Sequence, residues 1–140
     1  MKINNYKLFT LDKFIEDSLY NKKYGYYMKK NPFGKNGDFT TAPNISILFS
    51  EMIAIWIISF WEKLNCPKKF NLIELGAGNG EMMRILVSTF NKFPKFQKSC
   101  KISILEKSDL LQKIQKRNIK EKNIKWLNSL NELNNFPCIF

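Results

Sequence analysis

The sequence predicts an α/β fold built on a parallel, doubly wound sheet. Three observations in residues 65–140 support this prediction. Short apolar strand segments alternate with helical segments, as they do where crossover helices join parallel strands. A glycine-rich turn follows the first of these strands, and the second strand ends in an acidic residue. In such a sheet a ligand crevice is expected at the carboxyl ends of the strands.

The first helix is predicted just after the amino terminus. Leu11, Phe14, Ile15 and Leu19 recur with the spacing of one helix face, and Thr10 stands where an N-cap is expected. This pattern predicts a short amphipathic helix.

A long loop and a second, longer helix are predicted next. The segment Asn21–Thr41 mixes glycines, a proline and aromatic residues, which favours a structured loop. Thr40–Pro43 is typical of a helix start, and Asn44–Leu64 is apolar on nearly all sides, which predicts a helix buried all round. We expect residues 1–64 to form a helical and loop extension that covers the crevice.

The second half supplies the sheet. The four predicted strands are Phe70–Leu75, Lys101–Glu106, Ile124–Leu127 and Pro137–Phe140, and the predicted helices are Met82–Phe90 and Asp109–Arg117. We expect residues 65–140 to form a partial cofactor-binding domain in which the fourth strand lies beside the first.

Composition excludes several classes of protein. The chain has 23 basic and 12 acidic residues, but only Arg84 and Arg117 are arginines, and the lysines are dispersed. Nucleic-acid readout usually depends on arginine, so we expect a solvated basic surface and no nucleic-acid partner. The apolar stretch Ile45–Trp61 contains serines and a glutamate, so no membrane insertion is expected.

The chain also lacks residues that many metal sites and catalytic nucleophiles require. The chain has no histidine, and Cys66, Cys100 and Cys138 are far apart in the sequence. No zinc site and no Ser-His or Cys-His nucleophile is therefore expected. We predict three buried, free thiols.

The glycine turn carries the most specific chemical information. Gly76 allows a sharp turn off the strand, Gly78 lets a ligand approach the backbone, and Gly80 allows close helix packing. Dinucleotide folds use G-x-G-x-x-G, whereas this spacing is G-x-G-x-G with Glu74 before it. An acid at this place favours a cationic ligand over pyrophosphate, and Glu106 could accept hydrogen bonds from ribose hydroxyls. The pattern predicts S-adenosylmethionine as the cofactor, with a ligand-free glycine turn or a dehydrogenase as weaker alternatives.

A family resemblance covers nearly the whole chain. The blocks Gly25–Tyr27, Gly37–Pro43, Phe49–Trp61 and Leu72–Gly80 occur in the order found in the MidA-like family of S-adenosylmethionine-dependent methyltransferases, whose N-terminal part they resemble. The resemblance implies a class I (Rossmann-like) methyltransferase fold. It also implies protein arginine methylation linked to respiratory complex I assembly, with a protein substrate such as a subunit of that complex.

The resemblance assigns residues to the cofactor pocket. Those at the methionine end are Glu74, Gly76, Ala77 and Gly78; Glu106 would hold the ribose, Leu127 would lie beside the adenine, and Gly37, Asp38, Thr41 and Pro43 would form part of the pocket wall. No catalytic residue is assigned. The chain departs from the family pattern at Asn79 and Glu81.

Relatives continue beyond the fourth strand, so the resemblance implies a parallel sheet truncated after about four strands. We expect these 140 residues alone to bind S-adenosylmethionine weakly or to aggregate, and not to turn over. The expected location is the cytoplasm of a bacterium or the mitochondrial matrix of a eukaryote. A non-catalytic assembly scaffold and an RNA methyltransferase remain as alternatives.

Overall fold

The computed structural model describes residues 10–140. The strands are β1 (Phe70–Leu75), β2 (Cys100–Leu105), β3 (Lys125–Leu127) and β4 (Cys138–Ile139). The helices are α1 (Leu11–Tyr20), α2 (Tyr26–Lys29), α3 (Ala42–Ile45), α4 (Ile47–Lys63), α5 (Glu81–Phe90), α6 (Pro94–Ser99) and α7 (Asp109–Asn118). A 3₁₀ turn spans Leu130–Glu132.

The four strands form one parallel sheet in the order β3-β2-β1-β4. β1 lies at the switch point, with β2 on one side and β4 on the other, which confirms the predicted α/β fold and the place of the fourth strand. Leu75 pairs with Leu105 at the carboxyl ends of β1 and β2. The residues that follow these two strands, the glycine turn and Glu106, are therefore neighbours.

An aromatic cluster in the core surrounds Phe96, which is 1% exposed. Its ring centroid lies 4.7 Å from that of Phe90, 5.3 Å from Phe70 and 5.5 Å from Trp61. Phe96 belongs to α6. The sequence pattern does not predict this helix, because α6 is short and rich in lysine. The cluster joins α4, α5 and α6 to the start of β1, and burial of such rings is a main source of stability.

The prediction that α4 is buried all round is wrong. Ala54 and Ile57 lie in the core, but Leu48, Met52 and Trp56 on the opposite side are more than half exposed. The composition of a helix shows that it is apolar, but it does not show how many of its faces pack against other parts of the protein. Among the described residues, α4 packs on α5 and α3 and leaves its other side open.

The segment before α4 is partly as predicted. α1 forms as expected with Thr10 at its N-cap, but the Thr10 side chain accepts no capping hydrogen bond. The apolar residues of α1 share one face, and none of them is buried. The loop contains α2 and a single bridge between Phe33 and Phe39. The division of the chain after residue 64 stays a prediction.

The three cysteines are free, but they are not all buried as predicted. Cys66 and Cys138 are exposed and Cys100 is half-buried. Cys66 lies in a turn of positive φ after α4, and Cys138 is on a strand with one neighbour, so neither reaches the core. Burial raises the pKa of the Cys100 thiol to about 12. No helix within residues 10–140 has the length and apolar character needed to cross a membrane.

Candidate cofactor-binding site

The glycine turn opens directly at the end of β1. The Gly76 N–H donates to the Leu105 carbonyl at 2.9 Å, and the Gly80 N–H donates to the Ala77 carbonyl at 2.7 Å. Gly76 has a φ of +70°, and a Cβ placed there would meet no atom of the described residues within 4 Å. The turn is thus bonded to the sheet at its first glycine and closed on itself at Gly80, while Gly76 faces open space where a ligand can approach the backbone.

Glu74 is the unusual carboxylate of this region. It is half-buried near the end of β1, and its buried Oε2 atom has no hydrogen-bond partner among residues 10–140. Burial, together with the charge of the nearby Glu106, raises the pKa of Glu74 to about 7. Among the described residues, the only other buried side-chain oxygen or nitrogen without a partner is the Ser50 hydroxyl. Glu74 is therefore an acid whose buried oxygen is available to a ligand.

Glu106 is buried in a different way, since each of its carboxylate oxygens accepts a hydrogen bond. Oε1 accepts from the Ser108 N–H at 3.0 Å, and Oε2 accepts from Nε2 of Gln115 at 3.1 Å. A carboxylate oxygen can accept more than one hydrogen bond, so both oxygens keep acceptor capacity for hydroxyl groups. Glu106 is held in place and can still bind a ligand.

A cavity of about 150 Å³ lies beside the turn. It is lined by Phe33, Thr41, Pro43, Glu74, Gly76, Ala77, Gly78, Asn79 and Met82. A larger apolar groove of about 470 Å³ shares Glu74, Gly76 and Met82 with it. Small-molecule sites usually measure about 300–1,000 Å³, so the cavity alone is small for an adenosyl ligand, but the larger groove lies directly beside it at Glu74.

Phe33 explains why the cavity is small. A Cβ placed on Gly78 would lie 3.4 Å from the Phe33 ring, so the ring covers this glycine closely. The same ring stacks on Tyr27 with centroids 6.2 Å apart, and the Tyr27 carbonyl accepts from the Ser108 hydroxyl at 2.6 Å. The loop before α3 is therefore tied to the segment after β2 and lies over the glycine turn.

Asn79, a departure from the family pattern, connects the turn to α3. Its side-chain amide donates to Oδ1 of Asn44 at 2.9 Å, and the Asn44 amide donates to the Thr41 hydroxyl at 2.6 Å. This chain of hydrogen bonds keeps Thr41 and Pro43 beside the glycine turn. An amide at position 79 thus serves a local structural purpose here.

The structure brings six of the sequence-predicted site residues to one cavity and places the others elsewhere. Thr41, Pro43, Glu74, Gly76, Ala77 and Gly78 line the cavity. Glu106 lies next to Glu74 but does not line it. The assignment of these residues to cofactor binding stays a prediction.

Three predicted pocket residues lie away from this cavity. Gly37 forms a tight turn, where a Cβ would come 2.3 Å from the Pro32 carbonyl oxygen. Asp38 is exposed, pairs with Lys30 at 2.6 Å and accepts from the Tyr26 hydroxyl. Lys30 and Tyr26 hold the pKa of Asp38 below its ordinary value, and the hydrogen bond to Asp38 raises the pKa of Tyr26 to about 12. Leu127 is buried in the interior and is 1% exposed.

The residues fit S-adenosylmethionine by their chemistry. A buried acid without a partner suits a cation, open space at Gly76 suits a close backbone approach, and a fixed carboxylate suits a ribose. A different cavity of about 420 Å³ lies near Phe90, Lys98 and Asn123, at the opposite ends of the strands. That cavity contains no buried polar atom without a partner. The glycine turn is therefore the better candidate.

We expect the Glu74→Gln variant to be more stable than the wild type at high pH. The fold raises the pKa of Glu74 from 4.5 to about 7, so the native state binds a proton that the unfolded chain releases. The free energy of unfolding of the wild type should therefore fall between about pH 4.5 and 7 and then level off. Urea titrations should show the variant to be more stable by about 1–3 kcal/mol at pH 8, but not at pH 4.5. Parallel curves for the two proteins would contradict the raised pKa.

The fold and the turn define a class of protein: a parallel α/β domain with an acidic strand end and a G-x-G-x-G turn at its switch point. The model of a family described as "Putative S-adenosyl-L-methionine-dependent methyltransferase" matches residues 52–140. The chain belongs to this family. The predicted family and cofactor are therefore confirmed.

Curated relatives agree with this assignment. The chain is 38% identical over 102 residues to the Drosophila melanogaster homologue of the mitochondrial protein arginine methyltransferase NDUFAF7, with 73% of this chain and 23% of the relative covered. It is 36% identical over 125 residues to the Xenopus laevis protein, covering 88% and 29%, and 34% identical over 116 residues to the human protein, covering 81% and 26%. The chain spans about a quarter of the length of these relatives.

Solved structures agree on the fold. A Burkholderia thailandensis protein bound to S-adenosyl-homocysteine superposes with a TM-score of 0.73 and 22% identity, with 93% of this chain and 35% of that chain covered. A native structure of a protein from the same organism gives a TM-score of 0.67 at 22% identity, with 93% and 33% covered. At this identity the likeness supports the class I-like fold alone.

Proposed function

We propose that this chain is the cofactor-binding part of an S-adenosylmethionine-dependent protein arginine methyltransferase. The observation that carries the proposal is the buried, unpartnered carboxylate of Glu74 beside the open turn at Gly76. The names of the curated relatives supply the arginine substrate class. A respiratory complex I subunit is the candidate substrate, in the mitochondrial matrix of a eukaryote or the cytoplasm of a bacterium.

We expect different residues of the chain to bind different parts of the cofactor. S-adenosylmethionine, when bound, supplies an activated methyl group on a cationic sulfur. Glu74 would neutralise positive charge of the ligand, Gly76 would give room at the backbone, and Glu106 would accept hydrogen bonds from the ribose. Catalysis would then depend on the orientation of the acceptor toward the methyl group more than on proton transfer.

Asp38 is not the group we propose to hold the arginine substrate. Its carboxylate already pairs with Lys30 and accepts a hydrogen bond from Tyr26, so a guanidinium would have to displace both partners. Glu74 is better suited to a cation because its oxygen is free, and we assign it to the cofactor. The substrate carboxylates stay unassigned.

A methylation assay on the full-length gene product tests the proposed function. The protein is incubated with methyl-labelled S-adenosylmethionine and purified complex I subunits, and the labelled protein is hydrolysed to amino acids. Labelled methylarginine supports the proposal. Cofactor binding without transfer to any protein would favour the assembly scaffold, and salt-sensitive transfer to RNA would favour an RNA methyltransferase; either result overturns the proposal.

A further inference from the structure

One face of α7 carries three side-chain amides at a spacing of three residues. Gln112 donates to the backbone carbonyl of Glu106 at 2.8 Å, Gln115 donates to the carbonyl of Gly78 at 3.0 Å, and Asn118 donates to the carbonyl of Asn79 at 3.0 Å. Residues at this spacing lie on the same side of a helix. The helix thus holds both the glycine turn and the segment after β2.

Gln115 differs from the other two amides because it also contacts a charged group. It is 0% exposed, and its Nε2 donates to Oε2 of Glu106 at 3.1 Å as well as to Gly78. Its Oε1 accepts from the indole N–H of Trp126 at 3.0 Å. The indole can only donate and the carbonyl and carboxylate can only accept, so the amide has one possible orientation. Gln115 therefore connects β3 with the turn after β1 and with the residue after β2.

The close approach of α7 to the turn makes this contact possible. A Cβ on Gly80 would lie 3.3 Å from the Cα of Gln115 and 3.1 Å from the Ile119 side chain. A side chain at position 80 would therefore be in tight contact with the helix. The glycine spacing and the buried glutamine are parts of one arrangement.

We infer that Gln115 is a positioning residue that aims the Glu106 carboxylate at the ribose hydroxyls of the cofactor. The inference rests on the proposed cofactor site. A buried carboxylate needs hydrogen-bond donors to hold it in one orientation, and here the side-chain donor to Glu106 comes from Gln115. Without this donor, Glu106 keeps only the Ser108 N–H and is free to rotate about it. The ribose would then lose its fixed acceptor.

The test compares the Gln115→Met and Gln112→Met variants of the full-length gene product. Methionine keeps the length of glutamine and removes its donors. Gln112 is the matched control because it lies on the same helix face and binds the backbone of Glu106, not its carboxylate. Binding of adenosine and of 2′-deoxyadenosine is measured by NMR titration, and thermal unfolding is followed for each variant.

In the wild type, adenosine should bind about tenfold more tightly than 2′-deoxyadenosine, as expected for a hydroxyl that donates to a charged acceptor. Gln115→Met should bring this ratio close to one, mainly by weakening adenosine, whereas Gln112→Met should keep it. A loss of stability alone would weaken both ligands by the same factor, so an unchanged ratio in folded Gln115→Met overturns the inference.

Two further measurements distinguish a variant that fails to fold, and a failure of the proposed cofactor site, from a failure of this inference. If Gln115→Met does not fold, Gln115→Asn retains the amide but withdraws it from Glu106, and the same loss of the ratio is expected. A ratio that persists in Gln115→Asn would contradict the inference. If the wild type binds neither adenosine nor S-adenosylmethionine, the proposed cofactor site itself fails, which is a different result from an unchanged ratio.

Discussion

Glu74→Gln is expected to weaken the binding of S-adenosylmethionine by about 10–100-fold and to weaken S-adenosyl-homocysteine much less. The first ligand carries a sulfonium and an ammonium, whereas the second has only the ammonium. Charge interactions are strong away from water, so the buried Glu74 carboxylate, which has no partner among the described residues, should contribute more binding free energy to the ligand with two positive groups than to the ligand with one. Isothermal titration of both ligands gives the comparison directly.

The control for this experiment is Glu81→Gln. Glu81 lies just after the same turn, but it is bonded to the Arg84 guanidinium at 2.6 Å and 3.0 Å, so it has no free charge to offer. Both affinities should change by less than about twofold in that variant. Equal weakening of the two ligands in Glu74→Gln would contradict a contact between Glu74 and the sulfonium.

The contact between Glu74 and the sulfonium also predicts that the affinity for S-adenosylmethionine depends on pH. Burial and the charge of Glu106 raise the pKa of Glu74 to about 7, so the Glu74 carboxyl of the ligand-free protein is partly protonated near neutral pH. A cation binds the ionised form, and its affinity should therefore rise between about pH 6 and pH 8 as the proton is lost. Glu74→Gln should remove this rise, whereas Glu81→Gln should retain it.

Gly80→Ala is expected to destabilise the fold by about 2–4 kcal/mol. Gly80 has a φ of +81°, and a methyl group there would press on the backbone of Gln115 at 3.3 Å and on Ile119 at 3.1 Å. The substitution combines backbone strain at a positive φ with overpacking against the backbone of α7. Chemical denaturation monitored by circular dichroism measures the loss.

Gly34→Ala separates the two causes. Gly34 also has a positive φ, +97°, but a Cβ there would meet nothing nearer than 3.9 Å. Its substitution should cost only the strain, about 1–2 kcal/mol. If Gly34→Ala and Gly80→Ala are equally destabilising, the close packing of α7 on the turn contributes nothing measurable.

Much of the sheet could be predicted from the sequence because its signals are local. β1 has the predicted bounds because an apolar run ends at a glycine, and α5 follows because its apolar positions repeat with helical spacing. The neighbouring positions of Glu74 and Glu106 also follow from parallel strand order, since the carboxyl ends of adjacent strands lie together.

The remaining features depend on contacts between residues that are distant in the sequence. Phe33 covers Gly78 and Gln115 reaches both Gly78 and Glu106, yet no local pattern distinguishes this phenylalanine or this glutamine from others in the chain. The exposed side of α4 was missed for the same reason, because an apolar helix does not specify its partners. Gly37 was predicted as pocket wall from a sequence block, whereas its glycine is required by a tight turn.

The most direct test of the cofactor site is an NMR titration of the ¹⁵N-labelled full-length gene product with S-adenosylmethionine. We predict that the largest shifts fall on the backbone amides of residues 76–80 and 106–108 and on the indole N–H of Trp126. The amides around the separate cavity at Phe90, Lys98 and Asn123 should stay in place. Shifts concentrated at that cavity, or none at the glycine turn with saturating ligand, would contradict a cofactor site between Glu74 and Glu106.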